Sequence, residues 1–212
     1  MKKTRQPRQK RSIQTKQQII KAGLKLFAQK GIHGTNTKEI VNQAGVSIGS
    51  FYAYFSDKKV LLLEILEDYL DQVYSAIWKP LPRVSLENPD RDVITTIIEN
   101  VFLAYEIAPE FHRQTHALRY SDPDVNRIYN RERNREIEQI KFVLESNTNY
   151  SNLDELNTSA ILIHNTVESA VHTYMFLGPP MKRAALIYQL SIVIASFYDY
   201  LVQSDQTKSG TI

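Results

Sequence analysis

The segment AGVSIGSFYAYFSDKK, Ala44–Lys59, packs two glycines, three serines and four aromatics into sixteen positions. A buried helix does not carry that mixture, and a loop does not carry so many aromatics. Two short helices joined by a tight turn accommodate both. Gly45 ends the first, Ser47 N-caps a second that runs to about Phe55, and Ser56 caps a longer third. That arrangement is a helix-turn-helix, whose second helix can enter the major groove of DNA.

The pattern on either side is helical throughout. Ahead of the turn, Ile13, Ile20, Leu24 and Phe27 fall near one face, with Ile19 and Leu26 widening it. Asn36 and Glu39 have capping-box spacing for the short helix holding Ile40, Val41 and Ala44, although Thr37 is an alternative cap. After it, Val60, Leu63, Leu66, Leu70, Val73 and Ile77 recur at three- and four-residue steps until Lys79-Pro80-Leu81-Pro82. Further helices are predicted near 90–107, 109–119, 123–147, 153–177 and 181–203. The breaks between them are Pro109, Ser121-Asp122-Pro123, the Asn-rich 147–152 and Gly178-Pro179-Pro180. No period-2 run or hairpin signal competes. The predicted fold is all-α, with about nine helices: an N-terminal three-helix domain containing the helix-turn-helix, then a larger C-terminal helical domain. The boundaries are a basic disordered arm over 1–11, the helix-turn-helix domain over 12–58 and the larger domain over 59–212.

Charge divides at the same place. Residues 1–59 carry 13 Lys or Arg against Glu39 and Asp57, a balance of +11. The remaining residues carry 13 basic against 21 acidic groups, or −8, and the two sum to the overall +3. A basic segment joined to an acidic remainder implies a polyanion partner for the first, with a solvated basic tail as the alternative. Absence of cysteine excludes disulfides, thiolate metal sites and cysteine nucleophiles. No signal-peptide h-region and no 18-residue apolar run is found, so the expectation is a cytoplasmic protein with no membrane partner.

A helix entering a groove about 12 Å wide needs small residues where its backbone nears the base edges. Ser47, Gly49, Ser50 and Ala53 supply them. Phe51 and Phe55, four apart, can anchor the helix inward, leaving Tyr52 and Tyr54 to donate to phosphates. Lys58 and Lys59 oppose the dipole in the first turn of the next helix, which a bound phosphate would reverse.

From about Thr15 to Leu66 the chain resembles the DNA-binding domain of the TetR family of bacterial transcriptional regulators. The residues that carry the resemblance are Ile20, Ala22, Leu26, Phe27, Gly31, Thr37, Ile40, Ala44-Gly45-Val46-Ser47, Gly49, Phe51-Tyr52, Tyr54-Phe55 and Lys58. It implies phosphate contacts from Thr37, Tyr52, Tyr54 and Lys58, and base-proximal positions at Lys38, Ser47, Ile48, Gly49, Ser50 and Ala53. Because Ile48, Gly49 and Ala53 offer no hydrogen bond, readout then rests on Lys38, Ser47, Ser50 and apolar contact with thymine methyls. The arm adds nonspecific phosphate contacts or reaches a minor groove, or serves only as a solubility tail. The resemblance also implies a C-terminal domain that binds a small effector, and last helices that pair with a second copy. Phe102, Tyr105, His112, His116, Asn165, Glu168 and His172 are the candidate effector pocket. Ile163, Val167, Val171, Tyr174, Ile187, Leu190, Ile194 and Phe197 are the candidate dimer interface; for each residue a role in the chain's own core is the alternative. The implied function is a repressor of a pseudo-palindromic operator, released by a small molecule, with no cofactor. The rival is a helical ligand-sensor or interaction protein that does not use operator DNA.

Enzyme readings are weaker. Gly45-Val46-Ser47-Ile48-Gly49 matches G-x-S-x-G, but that elbow needs a preceding strand, and Lys38–Ala44 reads as helix. His112 and His116 have i,i+4 spacing, yet Arg113-Gln114-Thr115 lacks the zincin glutamate, so no metal and no catalytic residue is assigned.

Overall fold

A computed structural model describes residues 6–87, 89–146, 153–178 and 181–209, with side chains described from 11 to 203 within them. Among those residues there is no strand, and the chain forms ten α-helices and one π-helical turn. Contacts divide it into two units, Met1–Leu70 with Ala108–Tyr129, and Asp71–Ile107 with Asn130–Ile212.

The first unit begins with α1, Gln6–Lys30. The helix therefore takes in residues 6–11 of the basic stretch, which the sequence pattern leaves as an arm; residues 1–5 lie outside the described residues. Next come α2, Thr37–Ala44, and α3, Ile48–Tyr52. The other elements of this unit are the start of α4, Lys58–Trp78, together with α7, Pro109–Leu118, and the start of α8, Pro123–Glu145. Buried Ile19, Phe27, Ile40, Phe51, Phe55 and Leu61 make its core. Gly23 lets α1 lie close to α4: a Cβ there would sit 2.8 Å from a Leu61 methyl. α7 packs along α1, so the 109–119 helix belongs with the N-terminal elements, whereas its place in the sequence suggested the larger domain.

In the second unit α6, Arg91–Tyr105, packs against α10, Arg183–Ser209, and also meets α9, Leu153–His172. Asp90 caps α6 by accepting from the Val93 amide at 2.9 Å. Ile94, Ile98 and Phe102 from α6, Ile187, Leu190 and Ile194 from α10, and Ala160 and Ile163 from α9 are buried. The additional helix beyond the expected nine is α5, Arg83–Glu87, five residues that follow Pro80 and Pro82. A π-turn, Thr173–Leu177, extends α9 up to Gly178. The predicted breaks at 147–152 and Pro179-Pro180 lie outside the described residues. Within α10, Arg183–Gln203 is long and apolar enough to cross a membrane by length and composition alone, which a core helix also satisfies.

Candidate nucleic-acid interface and internal cavity

The helix-turn-helix is fixed by caps at each joint. Asn36, the first of the two candidate caps, accepts from the Glu39 amide at 3.0 Å, and Glu39 returns a contact to the Asn36 amide. Gly45 closes α2 at φ 66°, ψ 35°, a left-handed geometry that favours glycine, and its amide bonds back to Asn42. Ser47 caps α3 by accepting from the Ser50 amide at 3.1 Å. The next cap differs from expectation. α3 ends at Tyr52, and Asp57, not Ser56, caps α4 by accepting from the amides of Lys59 and Val60 at 2.8 and 2.9 Å. A carboxylate is the stronger acceptor there and also complements the helix dipole.

Phe51 and Phe55 turn inward, 5.7 Å apart between ring centres, and both are buried. This leaves Ser47, Ile48, Gly49, Tyr52 and Ala53 exposed on α3, with Lys38 exposed on α2 and Ser50 partly covered. Ile48 is 45% exposed and Tyr52 56%, unusual for large apolar side chains on so short a helix. Around Gly49 the space is open: a Cβ would meet nothing nearer than the Ser47 hydroxyl at 3.9 Å. Neither packing nor a positive φ requires glycine there, so the small residue serves the outer face.

Two of the four expected phosphate contacts have other work. Tyr54 donates its hydroxyl to the Ser12 carbonyl at 3.1 Å, and the two hydroxyls lie 2.8 Å apart, tying α3 to α1. Lys58 donates to the carbonyls of Ile32 and Thr35 at 2.7 and 2.6 Å, which leaves one of its three N–H donors. Lys59 is held by Asp124 and Asp122 at 2.7 and 2.9 Å, contacts that raise its pKa. Thr37 is half-buried and Tyr52 points outward. Lys58→Ala is therefore expected to lower stability by about 1.5–3 kcal/mol, because it removes charge-assisted bonds to the turn after α1. A denaturant titration checks this; an unchanged midpoint would show the bonds to be dispensable.

The candidate pocket residues are divided between the two units. His112 and His116 lie in the first unit, their rings stacked with centres 5.4 Å apart, and His112 is buried beside Tyr69. Phe102, Tyr105, Asn165, Glu168 and His172 lie in the second unit. There Phe102 packs on Tyr174, Tyr105 packs on His172, and Asn165 is exposed and accepts from Arg133. Only Tyr105 and Glu168 line the second unit's cavity, a mainly apolar space of about 100 Å³.

Of the cavity's polar side chains, Trp78, Glu136, His164 and Tyr198 are not among the candidate pocket residues. His164 is buried, with Nε2 2.9 Å from Glu136 and Nδ1 3.7 Å from Glu168. Burial alone would lower the imidazolium's pKa, but the Glu136 hydrogen bond and both carboxylate charges outweigh it and raise it. The Trp78 indole N–H and the Tyr198 hydroxyl are buried without a hydrogen-bond partner. The i,i+4 spacing of His164 and Glu168 was a usable signal; the partners on α4, α8 and α10 are too distant in sequence to have one. On the same helix-bundle unit, Glu132 is pushed up to about 7, burial being the main cause and Arg135 opposing it.

Five of the eight expected dimer residues are covered by the chain itself. Ile163, Val171, Ile187, Leu190 and Ile194 are buried in the chain's own core, and Ile163, Val167 and Ile194 face the cavity. Val167, Tyr174 and Phe197 are partly covered. The large apolar side chains left outside are Leu153 and Leu162 on α9 and Tyr188, Val193 and Tyr200 on α10.

These features define an all-helical protein with a helix-turn-helix in its first unit. Residues 19–65 match the family model "Bacterial regulatory proteins, tetR family". The HTH-type transcriptional regulator YuxN of Bacillus subtilis is 46% identical over 59 residues, 28% of this chain and 20% of that protein. The HTH-type regulator AcrR of Shigella flexneri is 43% identical over 54 residues, 26% of this chain and 25% of that protein. The chain thus aligns with only about a fifth of YuxN and a quarter of AcrR. A crystal structure assigned to the TetR family of transcriptional regulators, from Mesorhizobium loti, covers 90% of this chain and 98% of its own, with TM-score 0.73 at 20% identity. Residues 19–65 thus match the TetR-family model, and the chain shares its fold with the Mesorhizobium loti structure.

Proposed function

We propose that this protein is a DNA-binding transcriptional regulator, a repressor that grips a pseudo-palindromic operator as a homodimer and is released by a small molecule. The observation that carries the reading is α3: a short capped helix anchored by buried Phe51, presenting Ser47, Ile48, Gly49 and Ala53 outward. Such a surface suits close approach to base edges, with Ile48 placed for thymine methyls and Lys38 and Ser47 for hydrogen bonds. Thr37, Tyr52, Tyr54 and the remaining Lys58 donor are proposed to meet phosphates. Action on chromosomal DNA places the protein in the cytoplasm, and nothing in this role calls for catalysis.

In this reading the dimer forms through the outer apolar side chains of α9 and α10, and two-fold symmetry presents two α3 helices to two half-sites. Val193 is 55% exposed, so Val193→Asp leaves each chain folded while placing an unpaired charge twice in the interface. Sedimentation is expected to show a monomer where the wild type is a dimer. Titration of DNA flanking the protein's own gene, in excess unrelated DNA, is expected to show one wild-type dimer per site and loss of that binding in the variant. A wild type that is monomeric, or binding that vanishes into the competitor, would contradict the proposal. The effector is assigned to the second unit's cavity, since a largely apolar cavity with a few polar groups is the usual form of a small-molecule site.

A further inference from the structure

The second unit's cavity is chemically unbalanced. Its walls are mostly aliphatic, with Ile98, Val101 and Ile140 among them, and its lining includes no lysine or arginine. The charged groups that do line it are Glu136, Glu168 and His164. With His164 protonated between the two carboxylates the lining carries −1, and with His164 neutral it carries −2. An anion entering this space meets uncompensated negative charge, whereas a cation neutralises it. Tyr198, buried and without a hydrogen-bond partner, adds an oxygen able to accept from an N–H. Trp78 and Tyr105 add ring faces that attract cations.

Size narrows the class further. The volume of about 100 Å³ is below the ~150 Å³ of an apolar cavity that admits benzene, so the enclosed part holds fewer than six heavy atoms. The Glu136 and Glu168 side chains keep 21% and 27% of their exposure, so the charged groups reach solvent. We infer that the cavity takes a small apolar monocation, a primary amine on a ring or short chain, with its skeleton among the aliphatic walls and its ammonium beside Glu136, Glu168 and Tyr198. This rests on the reading of the cavity as the effector site and specifies the effector's chemistry.

The test is calorimetry on the full-length protein with isobutylamine, isobutyl alcohol and isobutyrate. Concentrations run up to about 10 mM, as suits the modest affinity of so small a ligand. Isobutylamine is expected to bind at least about tenfold tighter than isobutyl alcohol, with no heat from isobutyrate. Glu168→Gln is expected to abolish the amine's margin over the alcohol while preserving alcohol binding. Glu138→Gln, on α8 but outside the lining, should leave the margin intact. Equal binding of amine and alcohol, preference for isobutyrate, an unchanged margin in Glu168→Gln, or no binding by any of the three would overturn the cation assignment. Preferential amine binding without any change in DNA affinity would uphold this assignment and instead remove the cavity's regulatory role.

Discussion

Replacing Phe51 with alanine is expected to melt the first unit by about 15–25 °C below the wild type and to abolish DNA binding near the new transition. Phe51 is fully buried, and its ring meets Phe55 at 5.7 Å and the edge of Tyr52 at 5.4 Å. Its carbonyl also receives the Tyr54 and Phe55 amides that close the chain after α3. A five-residue helix has almost no stability of its own, so its position depends on this anchor. Truncating a buried phenylalanine costs about 3–5 kcal/mol, a large share of the 5–15 kcal/mol that keeps a domain folded. Circular dichroism melts check the result. A shift of only a few degrees would mean that α3 is held by its caps and not by the ring.

The second large effect separates function from folding. Gly49→Glu is expected to leave the melting temperature within about 2 °C of the wild type, because exposed substitutions cost within ~0.5 kcal/mol and leaving glycine in a helix offsets part of that. The open space around Gly49 supports this: a new Cβ meets no atom within 3.9 Å. DNA affinity is nevertheless expected to fall at least about 100-fold, since a carboxylate would face bases and phosphates at close range. Fluorescence anisotropy on an operator fragment measures it. A folded Gly49→Glu variant with unaltered affinity would move the DNA-reading surface away from α3.

Local signals made the first unit legible. Caps, glycines and aromatic spacing act within a few residues, and Asn36, Gly45, Ser47, Phe51 and Phe55 occupy the roles their positions suggest. Ser56 was the plausible cap for α4, yet Asp57 took it, because neighbouring residues compete for one geometry and only the finished turn decides between them. Tyr54 and Lys58 show a different limit. Each can bind phosphate, and sequence spacing does not show that Ser12, Ile32 and Thr35 approach them across 23 to 42 residues.

The second unit was legible as helices but not as a site. Periodicity identifies an apolar face without saying whether the chain itself or a second copy covers it, so Ile163, Ile187 and Ile194 were read as interface and are core. Chemical type alone selects pocket candidates and does not distinguish His112 and His116 of the first unit from Tyr105 and Glu168 of the second. His164 was passed over because its partner Glu136 lies 28 residues away. Contacts between helices far apart in sequence leave no periodic trace.

The most direct measurement is selection of bound fragments from a sheared genomic pool by the full-length protein, with Gly49→Glu run in parallel. The account predicts that the wild type enriches a small set of fragments sharing a pseudo-palindromic sequence and that the variant enriches none. Retention of the pool without a shared sequence, or the same fragments recovered by both proteins, would contradict sequence reading by α3.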